Sequence, residues 1–398
     1  YPYNAISAFA LHPLYVNVEG MARKEDEKIV KSLGKKRKQL NNLEEVDYEE
    51  VMRYKWKIIR QLYQAQKESF FKDEAYLQFW EANRHWLVPY AAYSCLRDKY
   101  STSKYTAWKQ YSSYDKKAIA KLTGTDQKHF DEVGIYYFVQ FHLHTQLKAA
   151  TDYAHANGII VKGDIPIGVN RYSCDAWMEP ELFHMDMQAG APPDDFAVKG
   201  QNWGFPTYNW ERMRQDGYEW WHRRFKQMSN YFDAFRIDHV LGFFRIWSIP
   251  AHAVEGVMGH FVPAIPLDME IFSKRGIYFD HRRFCEPYIT DAVLYELLGD
   301  NRNLIKDFLE LNGDGSYDLK ASFSTQRKVE TYFAGLEINE ENILLQSVLY
   351  DLISNVILFE EEGSQRQQFH FRIDIENTSS FGHLDDRLRQ QLGALYTD

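Results

Sequence analysis

Arg236-Ile237-Asp238-His239 is the strongest chemical signal in the chain. Alternation along an extended strand puts Arg236 and Asp238 on one face and turns Ile237 away. A guanidinium beside a carboxylate keeps the acid ionised, the state a nucleophilic Asp requires. The same pair also works as a structural ion pair at a sheet end, and the tetrapeptide alone leaves both roles open. Phe371-Arg372-Ile373-Asp374 repeats Phe235 to Asp238 without the following His and Gly-aromatic stretch, so it reads as structural.

A second cluster lies in Gly190-Ala191-Pro192-Pro193-Asp194-Asp195-Phe196 and Gly200-Gln201-Asn202-Trp203-Gly204-Phe205-Pro206. Rigid turns there present Asp, Gln and Trp to a groove, although ordinary loop chemistry uses the same residues. The histidines, including His142, His144, His155 and His184, form neither a His-Glu-x-x-His helix nor a carboxylate set at ligand spacing, so no metal is assigned. No phosphate-cradling glycine loop, dinucleotide fingerprint or Gly-x-Ser-x-Gly elbow occurs, and no organic cofactor is expected.

The elements that must position these residues follow a recognisable grammar. From Phe138 to Ala156 the pattern is helical, stops at Asn157-Gly158 and passes into the buried strand Ile159 to Ile167, which carries Asp164. The same order recurs as a helix from Trp220 to Phe232 feeding a strand from Asp233 to Val240. In parallel α/β folds ligands sit at the carboxyl ends of strands, where both of these place an Asp. Between them, residues 168–219 are loop-rich, and a long irregular connection in a compact fold usually carries function. Upstream, Ala8 to Val16 reads as a strand with a Pro-marked edge. Met21 to Phe71 reads as amphipathic helix broken near Gly34 and Asn41-Asn42. After Ile249 the pattern is mostly helical, with turns at Asn312-Gly313-Asp314-Gly315 and Asn339-Glu340-Glu341-Asn342.

Composition narrows the function classes. Over 398 residues, 47 Lys and Arg against 56 Asp and Glu leave a net charge of −9, which gives a phosphate backbone no general attraction, so nucleic acid is not expected as a partner. Cys95, Cys174 and Cys285 are odd in number and widely spaced, unlike a disulfide framework, and imply a reducing compartment. No stretch approaches the roughly 18–20 apolar residues of a membrane span. Aromatic residues reach 16%, with ten Trp and 27 Tyr often beside Asp, Asn or Gln. Flat faces next to planar hydrogen-bonders suit a pyranose ring, though large aromatics also simply fill cores.

Taken together, Tyr1-Pro2-Tyr3 with Ser7-Ala8-Phe9-Ala10, Gly163-Asp164-Ile165-Pro166-Ile167, the loop from Pro192 to Gly204, and Phe235 to His239 appear in an order that resembles the 4-alpha-glucanotransferases. These are the amylomaltase or disproportionating-enzyme group of glycoside hydrolase family 77, and the motifs span about residues 1–245. Residues 250–398, with Glu376 to Phe381, look more like the form of the family that accepts large branched glucans. The resemblance implies a retaining transfer of 4-alpha-glucan segments between maltooligosaccharides or glucans. Asp238 would be the nucleophile and Arg236 its charge partner, while Tyr3, Asp164, Asp194, Gln201, Trp203 and His239 would lie near the sugar. A plain alpha-glucan hydrolase and a non-catalytic glucan-binding module are the alternatives.

The resemblance also implies an α/β fold, part of a (β/α)8 TIM barrel with large, mostly helical insertions. Residues 1–249 would be partial catalytic barrel, with a helical insertion at about 21–130 and a substrate loop at 168–219, and 250–398 a mostly helical insertion region of the same domain. A cytoplasmic location is expected. The family's Glu-Asp-Leu-Gly general-acid strand and later His-Asp motif do not occur; Tyr295-Glu296-Leu297-Leu298-Gly299-Asp300 has the wrong order and a helical pattern. The chain is therefore expected to be an interior piece, with parts of the same polypeptide missing on both sides, and to be inactive alone. Phe205 stands where the family has Asn after Trp-Gly, which changes the hydrogen bonding at that subsite.

Overall fold

The computed structural model describes residues 5–32, 34–127, 129–361 and 363–398. The chain divides into two compact units, Tyr1–Phe183 with Tyr208–Asp238, and His184–Thr207 with His239–Asp398. Among the described residues no helix is long and apolar enough to cross a membrane.

The first unit is built on three long helices, Tyr48–Phe70, Glu74–Tyr100 and Phe130–Ala156. The Asp47 and Asp73 carboxylates accept the orphan N–H groups of Glu50 and Tyr76, which starts the first two. Ile58, Ile59, Leu62 and Tyr63 recur at helical spacing and are buried, so the first helix presents one apolar stripe to the core. Upstream the helix is broken as expected, into Glu27–Lys31 and Gly34–Asn41. The Phe130–Ala156 helix ends at Asn157, and Gly158 takes φ +73°, the left-handed conformation that lets the chain reverse at no steric cost.

The expected strand over Ala8 to Val16 does not form. Its polar backbone groups are claimed by side chains instead: Ala8 N–H donates to Asp175, Leu11 N–H to Gln140 Oε1, and Gln140 Nε2 donates back to the Leu11 carbonyl. Pro13–Tyr15 then turns as a 3-10 helix. A segment satisfied this way has no need of a ladder.

Two helix-to-strand passages yield a parallel pair, Lys162–Ile165 beside Ala234–Ile237, in the register Asp164 to Arg236 and Ile165 to Ile237. Gly163 is glycine because a Cβ there would meet the Phe232 ring at 2.7 Å.

In the second unit every pairing within its two larger sheets is antiparallel. One runs Gln201–Asn202, Met187–Ala191, Ile246–Pro250, His260–Val262. The other runs Leu358–Glu360, Gln368–Phe371, Leu267–Asp268. A hairpin joins Leu309–Leu311 to Tyr317–Leu319, its turn fixed by Asp314 accepting from the Ser316 N–H. Helices Asp291–Leu298, Gln326–Phe333 and Glu340–Ile353 bury Leu294, Val329 and Leu349 with Ile249 in one core. A second core gathers Phe272, Phe284, Ile357 and Phe369.

The TIM-barrel expectation is therefore corrected. The sheets hold two to four strands, each in a linear order, and none closes among the described residues. A barrel needs a repeated crossover that returns each strand parallel to the last. The helix-stop-strand pattern supplies one such pair among the described residues, and the two larger sheets are antiparallel throughout, so the parallel crossover is not repeated in them.

Candidate active site

The parallel register brings three of the expected site residues of the first unit together. Asp164 and Arg236 stand opposite one another on the two strands, and Asp238 follows directly, its N–H donating to the Ile165 carbonyl at 3.1 Å. One Arg236 nitrogen, Nη1, donates to both oxygens of Asp164 at 3.3 and 3.2 Å. The other, Nη2, donates to Asp238 Oδ1 at 3.0 Å. A planar fork is suited to this, because its two ends hold two acids at fixed separation. The Asp238 side chain keeps 24% of its surface exposed, against 47% for Asp164, so it is sheltered but reachable.

The frame behind this trio is buried. Arg224, on the helix Glu219–Met228, is 3% exposed and donates through Nη2 to the Pro166 carbonyl at 2.8 Å, holding the chain just past the Asp164 strand. Its guanidinium lies 4.9 Å from the Trp221 ring and 5.4 Å from the Trp220 ring. Asp175 is equally buried, and burial pushes its carboxyl up to about 6, against the pull of the Ala8 N–H and of Arg224. A cavity of about 180 Å³ is lined by Ser7, Phe9, Asp164, Pro166, Arg224 and Tyr231. Sequence reasoning missed Arg224; its signal was a buried-facing Arg in an otherwise aromatic helix stripe, Trp220-Trp221-His222-Arg223-Arg224.

The second unit gathers another three. Trp203 meets His239 edge to face, ring centroids 5.0 Å apart, and its indole N–H donates to Gln201 Oε1 at 3.0 Å. Phe205 lies 5.7 Å from the same indole, so the residue that departs from the family pattern extends its apolar face. His239 adopts φ 50°, ψ 52°, an uncommon left-handed conformation that turns the chain sharply after Asp238 into the 3-10 turn Val240–Phe243. Gly190 makes the Gln201 strand possible, because a Cβ there would stand 2.0 Å from the Gln201 carbonyl oxygen. Asp194 shapes its own turn through one oxygen, Oδ1, which accepts from the N–H groups of Phe196 and Ala197 at 2.9 and 2.6 Å. Tyr3 lies outside the described residues.

Two other sequence features resolve into structure. In the second Phe-Arg-Ile-Asp copy, Arg372 is buried and donates to the carbonyls of Ser354, Ile373 and Asp374. That guanidinium organises backbone rather than carboxylates. Glu296, on the Asp291–Leu298 helix, accepts from Ser379 Oγ at 2.6 Å and pairs with His383 at 2.7 Å. The Ser379 hydroxyl first, and His383 after it, hold its carboxyl below the usual range. A general acid needs the opposite shift, so Glu296 is not suited to donate a proton near neutrality.

The chain belongs to glycoside hydrolase family 77, the 4-alpha-glucanotransferase family, whose sequence profile matches residues 1–315. A rice protein named 4-alpha-glucanotransferase DPE2 is 39% identical over the whole chain. The Chlamydia pneumoniae 4-alpha-glucanotransferase is 31% identical over 67% of it. The chain spans 42% and 49% of the length of these two relatives. Among solved structures, the amylomaltase from Streptococcus agalactiae in complex with acarbose is similar in fold, with TM-score 0.56 at 20% identity, covering all of this chain and 88% of that one. The Corynebacterium glutamicum amylomaltase gives TM-score 0.53 over 71% of this chain and 36% of its own.

Proposed function

We propose that this chain carries the nucleophile of a 4-alpha-glucanotransferase that moves alpha-1,4-glucan segments between maltooligosaccharides or glucans. The observation that carries the reading is the Arg236 fork, which bonds Asp164 with one end and Asp238 with the other. Arg236 fixes one oxygen of Asp238, and a carboxylate held in place with part of its surface open is what attacks an anomeric carbon. Asp238 displaces the glycosidic oxygen and forms a glucosyl ester; a sugar hydroxyl then attacks the same carbon and releases the carboxylate, so the configuration is retained.

Asp164, Asp194, Gln201, Trp203, His239 and Tyr3 are proposed as sugar-contacting residues. The Trp203 face and the Gln201 amide offer the stacking surface and hydrogen bonds a pyranose uses. The step also needs a second carboxyl, roughly 5–5.5 Å from the nucleophile in retaining enzymes, to protonate the leaving oxygen. Glu296 is held in the wrong protonation state for that role. The 398-residue chain by itself is therefore proposed to be inactive, with maltooligosaccharides and alpha-glucans as the substrates of a longer cytoplasmic enzyme.

The test uses maltotriose with the 398-residue chain and with a polypeptide extended to the length of the rice relative. Transfer yields glucose and longer glucans at constant reducing ends, whereas hydrolysis raises reducing ends. A slow fluorinated glucosyl donor should leave its label on Asp238, read by peptide mass spectrometry. A label on another acid overturns the nucleophile assignment, and full transfer by the 398-residue chain overturns its inactivity.

A further inference from the structure

Three side chains far apart in sequence converge in the second unit. His260 begins the strand His260–Val262, paired through Ser248 to Ile246–Pro250. His370 lies in Gln368–Phe371, opposite Phe359 of the neighbouring strand. Glu361 follows that strand, its own N–H anchored on the Gln368 carbonyl at 2.8 Å. The two imidazoles stack at 4.2 Å with 12° between their planes. Glu361 Oε2 faces both, 2.5 Å from His370 Nε2 and 3.9 Å from His260 Nε2. One ligating atom from each residue lies within 4.8 Å of the other two.

Two imidazoles and a carboxylate within this reach form the donor set of an open zinc site, which takes three protein ligands and leaves a fourth place for water. We propose that His260, Glu361 and His370 bind a zinc ion, independently of the sugar chemistry. Ligands around zinc sit about 2.0–2.2 Å from the ion, hence roughly 3.3–3.5 Å from one another when tetrahedral. The His370 contact must therefore open and the His260 contact close, each by less than about 1 Å, as the rings splay out of their stack. All three backbones are held by strand pairing or by the Gln368 bond, so the adjustment falls to side-chain torsions. His370 is 8% exposed and walls the inner side, whereas the Glu361 side chain keeps 41% of its surface and opens the fourth position to water.

The expectation that the chain holds no metal came from ligand spacing along the sequence. This set escapes such a search because two of its members arrive from different sheets, so an ion here would staple one sheet to the other. Closing a chain separation this long adds stability to the folded state when the ion binds.

The test strips the purified chain with a chelator, returns zinc, and measures bound metal after desalting along with affinity by calorimetry. The expected result is one zinc per chain and a higher Tm on loading. His260→Gln and His370→Gln should each weaken binding by more than the roughly 10–100-fold that loss of an outer partner costs. Absence of bound zinc at micromolar free ion, or unchanged binding in both variants, overturns the proposal and leaves a hydrogen-bonded His-Glu cluster. Should the variants fail to fold by circular dichroism, X-ray absorption on the zinc-loaded wild type decides. Two imidazoles at about 2.0–2.1 Å are then expected, and a shell with sulfur or without imidazole overturns it.

Discussion

Asp164 and Arg236 are partners twice over: they face each other in the register of the parallel strand pair, and the Arg236 guanidinium bonds both oxygens of Asp164. Paired residues of neighbouring strands project to the same face, so backbone hydrogen bonding sets where the guanidinium stands before any side-chain contact forms. Its second nitrogen is thereby directed to Asp238, two residues further along the same strand direction.

Replacing the fork by a point charge tests that arrangement. Arg236→Lys keeps the charge but reaches one acid at a time, so Asp238 loses its fixed orientation. Transfer by an active polypeptide containing these residues should fall on the order of 10²-fold, the scale of a misplacement of about 1 Å at a reacting group. Urea stability should change by less than about 1 kcal/mol, because the pair is largely exposed. A loss confined to KM would contradict a role in holding the nucleophile.

Asp238→Asn removes the attacking oxygen charge while preserving shape and one acceptor for Arg236. Activity should drop on the order of 10⁴-fold or more, comparable to loss of a catalytic side chain elsewhere. Glucan retention on an affinity gel should persist. If activity persists too, the chain uses sugar binding without this carboxylate.

Trp203→Ala deletes the indole that packs on His239 and donates to Gln201. Lost stacking should raise KM for maltooligosaccharides by about 10-fold or more, since ring stacking is worth roughly 1–3 kcal/mol by alanine replacement in other ring-binding sites. Trp203→Phe should recover most of it. Equal effects of the two changes would point instead to the Nε1 bond with Gln201.

Sequence patterning reached as far as local order reaches. The run ending in Asn157-Gly158 gave both a helix stop and the strand behind it, because Gly158 tolerates the left-handed turn there. The strands after Ile249 were hidden in a pattern read as mostly helical, since they are two to four residues long and too short to display a period. The stretch from Ala8 failed for another reason: Asp175 and Gln140, more than a hundred residues away, satisfy its backbone. At the site, the Arg236–Asp238 pairing follows from strand alternation, which is local. The bridge to Asp164 required the strand register, and the Arg224 contact under Pro166 required packing of a helix that a linear pattern does not place.

His142 gives the chain a built-in acid sensitivity. Its ring lies among Phe70, Phe138 and Phe141, and its Nε2 is shielded from solvent with no hydrogen-bond partner among the described residues. Burial first, and Arg23 second, push its pKa down from 6.5 to about 4. The unfolded chain therefore takes up this proton more readily than the folded one. The stability held by the neutral ring is complete above about pH 6.5 and is lost as pH falls through the window from 6.5 to about 4. The loss is of order 3 kcal/mol at 1.36 kcal/mol per unit. His142→Phe keeps the aromatic packing and removes the titration, so the stability difference between variant and wild type should widen in the variant's favour between pH 7 and pH 4.5. Urea unfolding at the two pH values measures that difference directly, because every other titrating group is common to both proteins. Parallel pH profiles would show that the imidazole is hydrated rather than enclosed by the phenylalanines.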